Sequence, residues 1–169
     1  MRELVERSVA VYAGRILPEF PRMIDSPAMS RVVGIDLGSR RIGVALSDGL
    51  GLTAQPHATI ARHGGVRDLE AIAAVVTQNH AVLVVLGLPL DPEGNEGTAA
   101  RSARAFADRL RAVLPVPVEL IDESFSTVEA EEVLLAADLS RARRKQVIDR
   151  LAAAVILQRW LDEKAAAAR

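Results

Sequence analysis

Three acids in this chain would make a hydrolytic centre if the fold gathered them: Asp36, Glu123 and Asp149. Carboxylate oxygens with no cysteine or histidine beside them suit Mg²⁺ or Mn²⁺ rather than a softer metal. Two such ions, held by carboxylates, neutralise the charge that develops on a phosphodiester and activate water, so metal-dependent phosphodiester hydrolysis is the chemistry these residues point to. Without a cation the acids would repel one another, and ion binding is therefore expected to stabilise the fold as well. A solitary Asp or Glu is usually a solvated surface residue. The setting of each acid matters more than its type.

Asp36 sits in G-I-D-L-G-S-R-R-I-G-V-A-L-S-D, where Gly34 and Gly38 carry no side chain and let a phosphate or metal approach the backbone. Arg41, across the turn, has the planar fork that grips a phosphate with two hydrogen bonds. Asp122 and Glu123 are neighbours at a strand end and should face opposite ways, so only one of them enters the site. Lys145 lies one helical turn before Asp149, where its charge could meet the phosphate or tune the acid, or belong to an ordinary surface lysine. The segment from Gly87 to Gly97 is rich in glycine and proline and reads as an irregular loop, either bordering a nucleic-acid channel or only joining strand to helix. His57, His63 and His80 show no metal-ligand spacing, and Trp160 is expected to pack the last helix.

The elements that must position these groups follow from periodicity. R-V-V-G-I-D and R-I-G-V-A-L-S are β-branched runs joined by a tight connection, a hairpin, and a third strand over 52–62 is interrupted by Pro56, marking an edge or a bulge. Leu69, Ile72, Ala73 and Val76 repeat on a helical period, ending near Asn79. Val82 to Leu86 is apolar throughout, as a strand buried on both faces should be. Ala99 to Leu114 reads as helix, Val116 to Asp122 as strand, Thr127 to Ala137 as a helix capped by Ser126, and about Arg141 to Lys164 as a last helix with a fraying Ala-rich end. A three-strand meander followed by β-α-β units calls for a mixed α/β sheet with helices on its faces. Ligand sites in such sheets lie at the carboxyl ends of strands, where Asp36 and Glu123 fall.

The chain's 169 residues suit one domain over 29–164, preceded by an extension over 1–28 and followed by a frayed tail over 165–169. The extension has an amphipathic stretch (Leu4, Val5, Val9, Tyr12, Ile16) and then Pro18, Pro21 and Pro27, without the basic start and apolar run of a secretory signal. It is either a genuine extension or the result of an upstream start codon. Half the residues are hydrophobic and 25% charged, with no apolar run long enough to span a bilayer. The absence of cysteine rules out disulfides and sulfur-ligated zinc and is compatible with the cytoplasm, the expected location. A net charge of -1 is not that of a basic nucleic-acid binder, so any binding must use local patches. Arg40 with Arg41, Arg101 with Arg104, and the run Arg141, Arg143, Arg144, Lys145 supply them. Aromatics, at 3%, are too few for a base-stacking platform.

Taken in order, the Asp36 motif, V-L-G-L-P-L-D-P-E-G-N-E-G, D-E-S-F-S-T and R-R-K-Q-V-I-D-R-L-A-A-A-V-I-L-Q resemble the YqgF family, also called RuvX, over Ser30 to about Asp162. That bacterial family is named for Holliday junction resolution and pre-16S rRNA processing. The resemblance implies an RNase H-like fold and a metal-dependent endonuclease, with Asp36, Glu123 and Asp149 as catalytic acids holding two Mg²⁺ or Mn²⁺ ions. Arg41, Lys145, Arg144, Gly38 and Gly87 would then meet the nucleic acid, either branched DNA such as a four-way junction or precursor rRNA. The two-fold symmetry of a junction implies a homodimer, whereas an rRNA processor could be a monomer. One departure stands out: Ser124 replaces the family's usual arginine, removing a planar donor that Arg143 or Arg144 would have to replace. A catalytically weakened binding module is the alternative, against which the intact acidic set argues. The first motif is also similar to the phosphate-binding hairpin of actin-like and sugar-kinase ATPases, but those need a second similar half and this chain has no repeat.

Overall fold

Strand β3 (Arg31–Leu37) sends Val33 and Ile35 to one face of a sheet and Val32 and Gly34 to the other, the period-2 alternation of a strand buried on both sides. The computed structural model describes residues 11–12, 15–16, 30–123 and 141–168, of which 11–12, 15–16 and 141–149 are described as backbone alone. β3 pairs antiparallel with β4 (Arg41–Ser47), and β4 with β5 (Ala54–Ala61), completing the expected meander. On its other side β3 runs parallel to β6 (Ala81–Leu88), which pairs in parallel with β7 (Val118–Asp122). The strand order is β5-β4-β3-β6-β7, a mixed sheet as expected. Helix α1 (Val66–Gln78) leads from β5 to β6, α2 (Thr98–Val113) from β6 to β7, and α3 (Arg141–Ala167) packs on the strands from the opposite side. Within the extension, β1 (Val11–Tyr12) and β2 (Arg15–Ile16) form a separate antiparallel pair.

Two apolar clusters flank the sheet. One joins Ile35, Val44 and Leu86 to Leu69 and Ile72 of α1 and to Phe106 and Leu110 of α2. The other joins Val32, Ala45, Val85 and Ile121 to Ala153, Ile156 and Leu157 of α3. Ser47, buried between strands, accepts the Val32 N–H at 2.9 Å where the β3–β6 register shifts, which satisfies a donor that the irregular ladder would otherwise strand.

Pro56 lies both on the edge strand and beside a register shift, where Ala45 pairs with it. β7 begins at Val118 rather than Val116; Pro117 precedes it and has no N–H for the ladder, though its carbonyl accepts the Val84 N–H at 3.0 Å. α3 continues to Ala167, beyond the expected fraying point, with the Ala168 N–H bonded to the Lys164 carbonyl at 3.2 Å. Alanine's helix propensity explains the continuation. The helix expected over Thr127–Ala137, its Ser126 cap and Ser124 lie outside the described residues.

Candidate active site

Asp36, near the end of β3, pairs across the ladder with Gly43. By alternation it shares the α3 face with Gly34. Gly34 is there because nothing larger fits: a Cβ would stand 2.6 Å from the Leu157 Cβ and 2.9 Å from the Ala153 carbonyl oxygen. The α3 backbone therefore lies directly on β3, two residues before Asp36.

Glu123 arrives from the other end of the sheet. Its N–H donates to the Leu88 carbonyl at 3.1 Å, extending the β6–β7 ladder one step past Asp122. Along this strand Glu119, Ile121 and Glu123 alternate onto the α3 face: Glu119 accepts the Trp160 Nε1–H at 2.9 Å and pairs with Lys164 at 3.0 Å, and Ile121 joins the α3 cluster. The Glu123 carboxylate fills the space that a side chain on Gly87 would need, since a Cβ there would lie 1.8 Å from Oε2. Ile156 of α3 closes the slot, 2.9 Å from that same Cβ position. Asp122 has the opposite parity, with Val118 and Leu120 toward the α1/α2 cluster.

The slot is electrostatically unfavourable to a charged carboxylate. Glu123 Oε2 is buried with no hydrogen-bond partner among the described residues. Burial first, then the charge of Asp36, then that of Asp122, push the Glu123 carboxyl up to about 8. A cation beside Asp36 and Glu123 would reverse all three effects, so the residues present fit a divalent ion with oxygen ligands. Among the described residues no three His, Cys, Asp or Glu side chains form a ready metal cluster. The third acid considered in the sequence, Asp149, is in the part of α3 described as backbone alone, as are Lys145 and Arg144.

Gly38 and Arg41 frame the β3–β4 turn. A Cβ on Gly38 would lie 2.8 Å from the Arg41 carbonyl oxygen, so the chain turns tightly enough to exclude one. Arg41 opens β4 opposite Ala61 and is half-buried. Gly87 is not in a loop: it is buried inside β6, and what approaches it is Glu123 rather than open solvent. The loop proper follows, and is largely self-bound. Asp91 accepts the N–H groups of Glu93 (3.1 Å) and Asn95 (2.7 Å), and Glu96 pairs with Arg104 while its carbonyl accepts from Arg101 at 3.0 Å. Two arginines that looked like a free basic patch in the sequence thus brace this loop onto α2. His57, His63 and His80 are exposed.

Sequence reasoning missed the Gly87–Glu123 fit, for which no local pattern exists. It also missed Arg62, whose Nη1 donates to the Gly38 carbonyl at 2.8 Å; the only local sign was Asp68 in the first turn of a helix behind a Gly-Gly pair.

A family model described as "RuvX: Holliday junction resolvase" matches residues 30–163. A Myxococcus xanthus protein named "Putative pre-16S rRNA nuclease" is 54% identical over 132 residues, covering 78% of this chain and 87% of that protein. A protein of the same name from Pelotomaculum thermopropionicum is 50% identical over 135 residues, covering 79% and 88%. Among solved structures, Thermus thermophilus RuvC in complex with a Holliday junction substrate superposes with a TM-score of 0.47 at 18% identity, covering 81% of this chain and 96% of that one. Fowlpox virus resolvase with substrate Holliday junction DNA gives 0.48 at 12% identity, covering 79% and 98%.

Proposed function

Because the chain belongs to the RuvX family of nucleases, we propose that it is a divalent-metal-dependent endonuclease of structured nucleic acid. Its substrate is a four-way DNA junction or the 5′ end of precursor 16S rRNA, and it acts in the cytoplasm. The observation that carries this reading is Glu123 Oε2, buried without a partner in the Gly87 slot and opposed by the charge of Asp36. A surface made only to bind phosphate gains nothing from such an arrangement.

In this reading Asp36, Glu123 and Asp149 hold one or two Mg²⁺ or Mn²⁺ ions. Helix geometry supports Asp149 as the third acid. The Ala153 carbonyl lies over Gly34, and Trp160 and Lys164 meet Glu119 near the start of β7, so α3 runs against β3 and β7. Position 149 is then one turn, about 6 Å, further toward the strand ends, which matches the roughly 6.6 Å from Gly34 to Asp36. The bound metal supplies charge neutralisation at the phosphate and an acidified water. Asp36, near the end of β3, would be a ligand of the metal. Glu123, forced into a dry slot beside it, would give up its proton at lower pH where a cation compensates. Arg41, across the turn from Asp36, would hold a phosphate oxygen, and Lys145 and Arg144, in the α3 sequence, would add positive charge for the nucleic acid. Cutting opposed strands of a junction requires a homodimer with two such sites.

The test incubates the protein, Asp36→Asn and Asp149→Asn with a labelled immobile four-way junction, a matched linear duplex and a precursor rRNA 5′ leader, each with Mg²⁺, Mn²⁺ or EDTA. Cleavage that needs metal and is lost in both variants is expected, and the substrate cut fastest identifies the role. Full cleavage by Asp36→Asn, or cleavage in EDTA, overturns the reading.

A further inference from the structure

Behind the β3–β4 turn lies a second charged cluster, outside the acidic site. Asp68, in the first turn of α1, is only 2% exposed. Its carboxylate accepts the N–H groups of His63 at 2.8 Å and Gly64 at 2.9 Å, and faces the Arg62 guanidinium at 3.9 Å. A buried carboxylate is costly unless its hydrogen bonds and charge are matched, and here both are. The backbone curls around it through Gly64 and Gly65, both at positive φ (78° and 65°), where a side chain would be strained.

Arg62, fixed from behind, reaches forward. Its Nη1 donates to the Gly38 carbonyl at 2.8 Å and its own N–H donates to the Arg40 carbonyl at 3.0 Å. Both acceptors belong to the turn that separates Asp36 from Arg41. Connections of this kind are the parts of a sheet free to drift, and this one is tied by a charge-assisted bond to a rigid fork whose far side rests on a buried acid.

We propose that Arg62, held by Asp68, is a positioning residue that sets the placement of Asp36 relative to Arg41, and so couples the metal grip to the phosphate grip. The inference rests on the role assigned above to those two residues. A turn free to drift would loosen the grip on both metal and phosphate, so a clamp on it has work to do even though neither Arg62 nor Asp68 is assigned a contact with substrate. Lysine at 62 would keep the charge but not the fork, and could serve Gly38 or Asp68 but not both well.

The test compares the full chain with Arg62→Met, Arg62→Lys and Asp68→Asn, with Asp36→Asn as the control for the site. Five quantities are read: amide exchange in the peptide covering 37–42, the thermal shift produced by Mn²⁺, kcat, KM and the half-saturating Mn²⁺ concentration. Arg62→Met is expected to speed exchange over 37–42 about tenfold while leaving the 81–88 peptide unchanged. It should raise KM and half-saturating Mn²⁺ about fivefold, with kcat at saturation within about twofold of the parent. Arg62→Lys should recover part of each effect, and Asp68→Asn should shift them in the same direction by less. Exchange and half-saturating Mn²⁺ within about twofold of the parent in Arg62→Met would overturn the proposal, as would a fall in kcat alone. If Arg62→Met does not fold, the Lys and Asn variants decide by the same criteria. Should the parent fail to cleave, or Asp36→Asn cleave equally well, it is the reading of the site that fails; exchange and the Mn²⁺ thermal shift still decide whether Arg62 holds the turn.

Discussion

Phe106, Leu69, Ile72, Ile35 and Leu86 fill the α1/α2 side of the sheet with large side chains at 0–1% exposure, whereas the α3 side has Gly34, Ala45 and Gly87 on the strands and Ala152, Ala153 and Ala154 on the helix. The same strands build both faces, since their residues alternate. On the first face, size is what stabilises. On the second, Gly34 lets a helix backbone touch β3, and Gly87 leaves a slot that the Glu123 carboxylate, one residue past β7, fills against Ile156. On the proposed reading the chemistry lies on the second face alone, so substitutions on the first should change stability without changing cleavage.

The largest expected effect is on the first face. Phe106→Ala should cost about 3–5 kcal/mol of stability by leaving a cavity, measured by urea denaturation, while cleavage per folded molecule stays close to the parent's. An equal loss in specific activity would show that the two faces are not independent. Gly87→Ala attacks the second face: its Cβ cannot coexist with Glu123 Oε2 at 1.8 Å, so the carboxylate must leave the slot. Cleavage should fall about 100-fold, equivalent to roughly 2.7 kcal/mol at the transition state. Stability should change little, because the displaced acid regains water. Retained activity would mean that the slot is irrelevant to catalysis.

Gly34→Ala sharpens the contrast, since its clash is with the Leu157 Cβ and the Ala153 carbonyl, neither of which is the end of a flexible side chain. The helix itself must shift, at about 1–3 kcal/mol, and activity should fall together with stability. A loss confined to one of the two would separate helix seating from acid placement.

A pH dependence tests the slot without any substitution. In the metal-free protein Glu123 titrates at about 8, against about 4.3 in an unfolded chain. The folded state therefore holds the proton more tightly. Its contribution to stability is complete below pH about 4.3 and is lost as pH rises through about 8. Melting temperature in EDTA should decline across that window, and Glu123→Gln should flatten the decline. Stabilisation by Mn²⁺ should grow over the same range, because metal and proton compete for the carboxylate. A stabilisation by Mn²⁺ that is the same at pH 6 and pH 8 would detach Glu123 from the metal.

Much of this architecture is legible in the chain. The β-branched runs of β3 and β4, the apolar run of β6 and the helical period of Leu69, Ile72 and Val76 are local signals, and each stands where periodicity predicts. Boundaries were less legible: Pro117 delays β7, and alanines carry α3 past Lys164. The order of the motifs was enough to nominate Asp36 and Glu123. Their electrostatic coupling was not visible, since it depends on β3 and β7 reaching the same side of the sheet through β6.

The sequence by itself nominated Asp36 and Glu123 as ligands for a hard cation, placed each near the end of a strand and, through two-residue alternation, set Asp122 and Glu123 on opposite faces. Only the tertiary structure decided that Gly87 is an absence made for Glu123, that Arg104 is engaged by Glu96, and that Arg62 links a buried Asp68 to the turn beside Asp36. Periodicity is a property of neighbours along the chain, but burial, shared charge and steric exclusion arise between elements that meet only after the sheet has closed.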